Sequence, residues 1–252
     1  MSSDPFNGHR YWLIGASSGI GAALAEELLR RGARVAISAR RSSELETVSA
    51  GRMSVVPLDV TDADAVVQAE GAVRAHLGGL DTVVWCAGYW KQFDATHWDR
   101  EVFARHIEVN LLGLNNVLAA IIPPMIAAGS GHIAGVASVA GYRGLPGAEA
   151  YGATKAAQIN LLESLRASLG ARGVRVTTVC PGFVKTEMTE GNTFPMPFII
   201  EADEAARSIA DGLARARAEI VFPLPMAILM KAARFVPVRL WSALASRRLS
   251  AR

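Results

Sequence analysis

Short runs of apolar residues alternate with longer amphipathic stretches along the whole chain. The short runs are rich in β-branched residues and nearly continuous in apolar character, which is typical of strands covered by helices on both faces. They predict seven strands, over residues 11–15, 35–39, 54–58, 82–86, 132–137, 174–179 and 219–222. The stretches between them have helical spacing and predict five main helices, over residues 20–31, 62–76, 98–128, 151–171 and 203–216.

Strands that alternate with helices of this length pair in parallel through right-handed crossovers. The pattern therefore predicts an α/β protein, a single-domain Rossmann-like fold with a doubly wound parallel β-sheet and helices on both faces. Residues 1–252 contain no linker, repeat or low-complexity run, and a chain of this length can bury one sizeable core. Ligands of such sheets bind beyond the carboxyl ends of the strands, so we expect functional residues directly after them.

The composition is that of a globular protein, with 51% apolar and 19% charged residues. Only two cysteines occur, Cys86 and Cys180, so we expect a reducing, cytoplasmic compartment rather than a disulfide framework. The polar start of the chain is unlike a secretory signal, and we expect no apolar stretch of the roughly 18 residues that a membrane span requires. The five histidines lack metal-ligand spacing, so we expect no metal.

Charge is distributed unevenly along the chain. The total is +3, but residues 220–252 hold six basic residues and no acid, which leaves −3 on residues 1–219. Because the basic residues are concentrated in a tail, we expect no nucleic-acid partner. The tail, residues 223–252, is predicted to form a basic, apolar extension of two short helices separated at Pro237. It either makes peripheral contact with an anionic membrane or, in the more ordinary interpretation, caps the substrate pocket or forms a subunit contact.

A glycine-rich turn follows the first predicted strand. The turn has the spacing GxxxGxG, with Gly15, Gly19 and Gly21 ahead of a helix. Glycines here allow a tight turn and a close approach of the backbone to a pyrophosphate, and the helix N-terminus supplies free N–H groups and a partial positive charge. A plain structural turn is the alternative, but the position at the first strand–helix junction favours a nucleotide site.

The end of the second predicted strand indicates which nucleotide binds. A site for NAD commonly has a carboxylate here for the ribose hydroxyls, whereas a 2′-phosphate requires arginine. This chain has Ala39 followed by Arg40 and Arg41, and the forked guanidinium of Arg40 matches a phosphate. The junction predicts that NADP(H) is preferred, with NAD(H) also possible. The alternative is a solvated surface pair of arginines.

Three polar residues after the fifth predicted strand suit proton transfer. Ser138 ends that strand, Tyr151 follows, and Lys155 lies one helical turn beyond Tyr151 on the same face. A free tyrosine titrates near a pH of about 10, but a nearby ammonium favours the phenolate and lowers its pKa. By itself, this spacing is also typical of a core tyrosine beside a surface lysine.

The chain contains, in this order, the segments IGASSGIG, LDVTD, CAG, VNLLG, SVAGYRGLPG, YGATK and PGFVKT. Together they resemble the core pattern of the short-chain dehydrogenase/reductase family over roughly residues 8–222. The resemblance implies an NADP(H)-dependent oxidoreductase, of the carbonyl reductase kind, that interconverts a ketone or aldehyde and a secondary alcohol by hydride transfer. It implies that Tyr151 is the general acid/base, that Ser138 binds the substrate oxygen, that Lys155 holds the nicotinamide ribose, and that Asn110 positions a relay water.

The resemblance also implies the cofactor site. The glycine-rich turn would surround the pyrophosphate, Ser17 would lie near the adenosine ribose or its phosphate, and Asp59 and Val60 would contact the adenine. The full set of implied cofactor residues is Gly15, Ser17, Gly19, Ile20, Gly21, Arg40, Asp59, Val60, Ala87, Gly88, Tyr151, Lys155, Pro181, Gly182, Val184 and Thr186.

Two positions depart from the family pattern. The family usually has Thr before the first glycine and Asn before Ala-Gly, where they brace adjoining strands, but this chain has Ile14 and Cys86. We expect an apolar contact to replace the lost hydrogen bond. Cys86 is interpreted as a small buried hydrophobic residue rather than a redox-sensitive thiol.

Residues 187–200 are predicted to form a short substrate lid. Its large apolar residues are Met188, Phe194, Met196 and Phe198. They either favour an apolar substrate or simply pack the lid down. Residues elsewhere that could line the same cavity are Tyr89, Trp90, Leu145 and Phe183.

The alternative function is a catalytically silent nucleotide sensor or scaffold on the same fold. The complete set of Asn110, Ser138, Tyr151 and Lys155 argues against it, because a pure binder has no chemical use for all four. A sugar-nucleotide epimerase would need a larger C-terminal substrate region. Related enzymes suggest a homodimer or homotetramer through the helices over residues 98–128 and 151–171.

Overall fold

The computed structural model describes residues 5–250, with side chains from residue 5 to residue 246. Within this range the strands are β1 (Arg10–Ile14), β2 (Arg34–Ser38), β3 (Ser54–Val55), β4 (Thr82–Trp85), β5 (Gly131–Val136), β6 (Val174–Pro181), β7 (Val184–Lys185), β8 (Ile200–Glu201) and β9 (Glu219–Phe222). Seven of them form one parallel sheet in the order β3-β2-β1-β4-β5-β6-β9. The predicted doubly wound sheet is confirmed, and the strand order reverses between β1 and β4.

The helices that connect these strands are α1 (Gly19–Arg30), α2 (Ser42–Ser49), α3 (Ala63–Leu77), α4 (Arg100–Ile107), α5 (Gly113–Ala128), α6 (Glu149–Leu169), α7 (Glu187–Glu190), α8 (Ala202–Ala214), α9 (Leu224–Ala233) and α10 (Val238–Ser250). A π-helical turn, Glu108–Leu112, joins α4 to α5, and a 3₁₀ turn, Val139–Gly141, follows β5. β7 and β8 pair with each other in a separate two-stranded sheet.

Both faces of the large sheet are buried. In β1, Tyr11 and Leu13 pack into the apolar cluster that also holds the inner faces of α1 and α8. The intervening Trp12 and Ile14 pack into the opposite cluster, with residues of α3, α5 and α6. Alternation between two covered faces explains why the strands are almost continuously apolar in sequence.

The single helix predicted over residues 98–128 is interrupted in the structure. The Asp99 carboxylate accepts hydrogen bonds from the N–H groups of Glu101 and Val102, at 3.0 and 2.9 Å, so the helix begins at Arg100. The π turn then separates α4 from α5 and has Asn110 at its centre. Such a turn carries one additional residue and often marks a functional position in a helix.

Contrary to expectation, one helical segment is long and apolar enough to cross a membrane by length and composition, Arg100–Ala128. A core helix of a globular protein meets the same criteria. α5 packs Leu114, Val117 and Ile121 into the core cluster against the sheet. We therefore describe it as a core helix.

The sequence pattern missed the shortest elements. α2 is a polar helix of 8 residues that buries only Leu45 and Ser49. β7 and β8 have 2 residues each, and β3 pairs over Ser54–Val55 rather than over the predicted 54–58. Elements this short contain no full period of an apolar pattern, so tertiary contacts decide whether they form.

The C-terminal extension forms two helices, α9 and α10, on either side of Pro237, as predicted. Of its basic residues, Arg252 and the side chains of Arg247 and Arg248 lie outside the described residues, as do residues 1–4. The interpretation of residues 1–252 as one domain stays a prediction.

Gly135 of β5 offers a test of the packing between the sheet and α6. A Cβ on Gly135 would lie 2.4 Å from Leu162 Cδ1, so we expect Gly135→Ala to lower the free energy of unfolding by about 1–3 kcal/mol. Gly71→Ala, in the middle of α3 with no heavy atom within 4 Å of the added Cβ, should raise it by about 0.5–1 kcal/mol. Thermal unfolding followed by circular dichroism measures both variants, and equal shifts would contradict this packing.

Candidate functional site

The turn between β1 and α1 is pressed against the residues that follow β4. Gly15 has a φ of +89°, and a Cβ there would lie 2.4 Å from the backbone nitrogen of Ala87. Gly19 has a φ of +57°, and its Cβ would lie 2.9 Å from Thr186 Cγ2. Only glycine suits both the left-handed backbone and the close contacts. The turn thus lies at the carboxyl edge of the sheet, beside the point where the strand order reverses.

The N-terminus of α1 is open to an anion. Ser18 is the N-cap residue, but it makes no side-chain cap hydrogen bond, and the first turn contains no acidic residue. The N–H groups and the dipole at the start of a helix favour a negative charge. With the bare backbone of Gly15 and Gly19 beside it, this helix end fits the pyrophosphate of a dinucleotide.

Arg41, the neighbour of the predicted phosphate-binding residue Arg40, contacts the glycine-rich turn. Arg41 Nη2 donates hydrogen bonds to Ser17 Oγ at 3.2 Å, to Ser18 Oγ at 3.1 Å and to Glu187 Oε2 at 2.9 Å. One guanidinium therefore connects the nucleotide side of the site to the first residue of α7 in the lid. The side chains of Arg41 and Glu187 are 43% and 57% exposed, so an incoming phosphate can reach the guanidinium.

Arg40 lies near Asp59, and its positive charge acts on that carboxylate. Burial acts to raise the pKa of Asp59, but hydrogen bonds from Thr61 and the nearby charge of Arg40 outweigh it, so the pKa lies below its usual value. Thr61 donates to Asp59 Oδ1 from its N–H at 3.0 Å and from its hydroxyl at 2.8 Å. The Asp59 carboxylate is therefore ionised and fixed where the adenine is expected.

The other predicted cofactor residues line the same edge. Ile20 packs at the margin of the core cluster under α1, and Val184 is buried in that cluster. Val60 is buried on the opposite face, where its carbonyl accepts a hydrogen bond from Asn116. Gly182 N donates to Phe222 O at 2.7 Å, which ties the end of β6 to β9. The remaining predicted members also contact parts of this site. Gly21 and Ala87 lie against Gly15, Thr186 lies against Gly19, Gly88 lies near Asn110 and Lys155, and the Pro181 carbonyl accepts from Ser138 Oγ at 3.4 Å.

Tyr151 and Ser138 meet at the carboxyl end of β5, where the Ser138 hydroxyl lies close enough to the phenol to act on its pKa. Ser138 caps the 3₁₀ turn after β5, accepting from Ala140 N at 3.1 Å, which fixes its hydroxyl at the site. Lys155 Nζ lies 5.4 Å from the centroid of the Tyr151 ring, one helical turn along α6. The predicted triad of hydroxyl, phenol and ammonium is thus brought together.

Lys155 is buried, and the chain supplies two acceptors for its ammonium. Lys155 Nζ donates to Val136 O and to Gln158 Oε1, each at 2.9 Å. Gln158 Nε2 in turn donates to the backbone carbonyl of Asn110 at 2.7 Å. The Gln158 amide therefore bridges the Lys155 ammonium and the π turn.

Both polar atoms of the Asn110 side chain are hydrogen-bonded. Its Oδ1 accepts from Tyr89 N at 2.7 Å, and its Nδ2 donates to Tyr89 O at 3.1 Å and to Thr154 Oγ1 at 3.0 Å. Thr154 Oγ1 donates to Tyr151 O at 2.8 Å. Asn110 thus connects the segment after β4 to the turn of α6 that carries Tyr151. The role of Asn110 in holding a relay water stays a prediction.

Burial dominates the electrostatics of the site. It raises the pKa of the Tyr151 hydroxyl to about 12, which the nearby Ser138 hydroxyl offsets only in part. It lowers the pKa of the Lys155 ammonium to about 8. The cofactor-free site therefore keeps the phenol protonated at neutral pH, and Lys155 is the group whose charge changes just above neutrality.

Aromatic rings enclose the reacting end of Tyr151. The ring of Trp90 packs edge-on against Tyr151 with centroids 5.1 Å apart, and it also contacts Phe194 of the lid at 6.4 Å. Trp90 Nε1 donates to Asn192 Oδ1 at 3.0 Å, which fixes the indole to the lid. Phe183 packs on Phe194 at 6.0 Å. The wall around the phenol is therefore apolar and partly formed by the lid.

The two departures from the family pattern leave the strands joined. Ile14 is fully buried, and its carbonyl accepts from Cys86 N at 2.8 Å, while Gly15 N donates to Ser38 O at 2.7 Å. Trp12 Nε1 donates to Ser38 Oγ at 2.8 Å and adds a side-chain bond between β1 and β2. Burial raises the pKa of the Cys86 thiol to about 12, so it stays protonated, as expected for a small hydrophobic residue.

Sequence reasoning missed several residues of the site. Gln158 lies three positions after Lys155, on the same face of α6, so helical spacing alone could have identified it. Arg41 and Glu187 are brought together from distant segments, and only the fold shows that they meet. The same holds for His106, which is fully buried and packs its ring at 4.7 Å from that of Tyr89.

Comparison with known proteins gives a consistent result. A family model described as short chain dehydrogenase matches residues 11–194. A Myxococcus xanthus (strain DK1622) protein described as an uncharacterized oxidoreductase is 42% identical over 241 residues, covering 93% of this chain and 95% of the relative.

Solved structures share the fold. A short chain dehydrogenase from Burkholderia cenocepacia J2315, in complex with NADP, has a TM-score of 0.83 at 28% identity and covers 97% of this chain and 98% of its own. A Brucella melitensis 16M structure described as ribose-5-phosphate isomerase has a TM-score of 0.81 at 32% identity, covering 88% and 93%. Because one fold hosts many reactions, the reaction must be argued from the site itself.

Gln158 offers a test of how the ammonium is held. We expect the rate of NAD(P)H oxidation to fall as the pH rises through about 8, where Lys155 loses its charge. Gln158→Leu removes an acceptor that favours the charged form, so the midpoint should move down by about one pH unit. Gln158→Glu adds a negative charge beside the ammonium, so the midpoint should move up. A pH–rate profile of each variant checks the sign, and shifts in the same direction would contradict the contact.

Proposed function

Because the chain belongs to the short-chain dehydrogenase/reductase family and is an NAD(P)-dependent dehydrogenase/reductase, we propose that it interconverts an apolar ketone or aldehyde and the corresponding alcohol, with a preference for NADP(H). The observation that carries the proposal is that the Tyr151 phenol and the Ser138 hydroxyl lie together at the end of β5, beside the buried ammonium of Lys155. A catalytically silent sensor or scaffold would have no use for a protonated phenol and a charged lysine enclosed together.

The glycine-rich turn, the open end of α1 and Arg41 would hold the phosphates of the cofactor, and the segments after β4 and β6 would lie along its nicotinamide half. The bound cofactor supplies or accepts the hydride. A carbonyl oxygen placed between the two hydroxyls accepts hydrogen bonds from Ser138 Oγ and Tyr151 Oη. During reduction the proton moves from Tyr151 Oη to that oxygen, and the positive charge of Lys155 stabilises the phenolate left behind.

The apolar character of the substrate is proposed from the wall around Tyr151. Trp90 packs on the Tyr151 ring, Phe194 packs on Trp90 and Phe183 packs on Phe194, and the hydrogen bond from Trp90 to Asn192 keeps the indole in place. Such a wall excludes water from the reacting oxygen and favours flat or aliphatic carbonyl compounds over charged ones. Self-association into a dimer or tetramer through α5 and α6, and a cytoplasmic location, stay predictions.

Tyr151→Phe tests the reaction. We expect the rate of NADPH oxidation with an apolar ketone to fall by about 10²–10⁴-fold, because the proton donor is lost, while NADPH binding followed by fluorescence is retained. Tyr142→Phe is the matched control, since its hydroxyl bonds to Glu219 at 2.5 Å and is not part of the proposed proton transfer. Turnover by Tyr151→Phe at the wild-type rate would overturn the assigned role, and NADPH binding without turnover in the wild type would favour the sensor.

Glu187→Gln tests the preference for NADP(H). In the cofactor-free protein the Glu187 carboxylate occupies Arg41, the group proposed to bind the 2′-phosphate. Removing this competing charge should strengthen NADPH binding by about two- to fivefold, as an exposed ion pair contributes little, and leave NADH binding unchanged. Glu190→Gln, one turn along α7, is the matched control. Equal changes for NADPH and NADH in titrations would show that Arg41 does not contact the 2′-phosphate.

A further inference from the structure

Exposed apolar side chains are concentrated in the C-terminal helices. Of the thirteen large hydrophobic residues that are exposed in the described part of the chain, seven lie between Leu224 and Leu244. Phe235, which follows α9, is 88% exposed, and Leu224 and Ile228 are 70% and 62% exposed. Exposure at this density is unusual for a surface in contact only with water and marks an interaction site.

The two faces of α9 have different roles. Its inner face buries Met226 and Met230 in a cluster with Tyr142 and Cys180, so the helix is anchored to the folded body. Leu224 and Ile228 lie one turn apart on the outer face, and the exposed Phe235 follows directly after the end of the helix. α9 is therefore a fixed helix with an apolar outer stripe.

α10 is anchored as well. Trp241 Nε1 donates to Gly144 O at 2.8 Å, and Arg143 Nη2 donates to Val236 O at 2.8 Å, with its guanidinium 5.7 Å from the Trp241 ring. Arg143 and Gly144, which make these bonds, follow Ser138 by five and six positions. The C-terminal helices are thus held against the substrate side of the site.

The charge next to the apolar stripe is positive. Lys231 and Arg234, together with Phe235 and Glu219, line a cavity of about 450 Å³ at the outer surface. Glu219, the acid that faces these helices, is already bonded to Lys231 and to the Tyr142 hydroxyl. Residues 220–252 contain six basic residues and no acid. A surface that combines apolar side chains with cations complements a layer of anionic headgroups over an apolar interior.

We propose that α9 and the start of α10 dock the protein on the surface of an anionic membrane, with Leu224, Ile228 and Phe235 entering the interface and the cations at the level of the phosphates. A second copy of this chain is the less suitable occupant, because a twofold contact would place the same basic residues opposite each other. The proposal goes beyond the enzymatic function and does not depend on it.

The test uses the full chain with vesicles of phosphatidylcholine alone and of phosphatidylcholine with about 30% phosphatidylglycerol. We expect sedimentation with the anionic vesicles only, weakened by added salt. Ile228→Gln combined with Phe235→Gln should lower the partition coefficient by at least about fivefold. Val67→Gln, which changes an exposed apolar residue of α3, should leave it unchanged. Unchanged unfolding temperatures show that the variants are folded, whatever the enzyme activity.

Three results would overturn the proposal. One is equal binding to neutral and anionic vesicles, or no binding to either. Another is unchanged partitioning of the Ile228→Gln, Phe235→Gln variant. The third is a smaller particle for that variant in solution, measured by light scattering, since it would show that the apolar stripe joins copies of this chain. Removal of the whole tail is a poorer test because it would also expose the buried Met226 and Met230.

Discussion

The site depends on one buried charge. Lys155 is 3% exposed, and an ammonium in such a place keeps its proton only if acceptors replace the water it has lost. The end of β5 supplies one, through Val136 O, and α6 itself supplies the other, through Gln158 Oε1. Even so, its pKa falls to about 8, which shows that the two bonds only partly offset burial. Gln158 also donates to Asn110 O. The hydrogen bonds that stabilise the Lys155 ammonium therefore connect the π turn to β5 and α6.

This arrangement makes the surroundings of the ammonium rigid. An amide holds its hydrogens firmly, so the bridge from Lys155 through Gln158 to Asn110 orients these groups but is a poor route for a proton. Tyr151, with a pKa of about 12, likewise holds its proton until a negative charge develops on a neighbouring oxygen. This protonation state suits the proposed donation by the phenol, and the hydroxyl of Ser138 lies beside the position proposed for the acceptor oxygen.

The large elements and the proximity of Tyr151 to Lys155 could be predicted from the sequence because each depends on local pattern. Strands covered on both faces are continuously apolar, and Tyr151 and Lys155 share a face of α6 through their spacing alone. The break in the helix over residues 98–128 could not be predicted, because the π turn is stabilised by contacts of Asn110 with distant segments. The contact of Arg41 with Glu187 joins residues 146 positions apart, and only the packing of the lid on the glycine-rich turn brings them together. Which of two adjacent arginines faces the turn is likewise decided by backbone direction after β2, not by residue type.

Two of the contacts that hold the predicted lid differ in chemistry. Its first residue, Glu187, is held by an ion pair to Arg41 on the nucleotide side, and Asn192 is held by the indole of Trp90 on the side of Tyr151. An anion that binds Arg41 must compete with the Glu187 carboxylate, since one nitrogen of the guanidinium already bonds to it and to two serine hydroxyls. The Trp90 bond is neutral and enclosed by aromatic rings, so the same anion does not affect it. An anion bound at Arg41 would therefore weaken the ion pair to Glu187 without affecting the bond between Trp90 and Asn192.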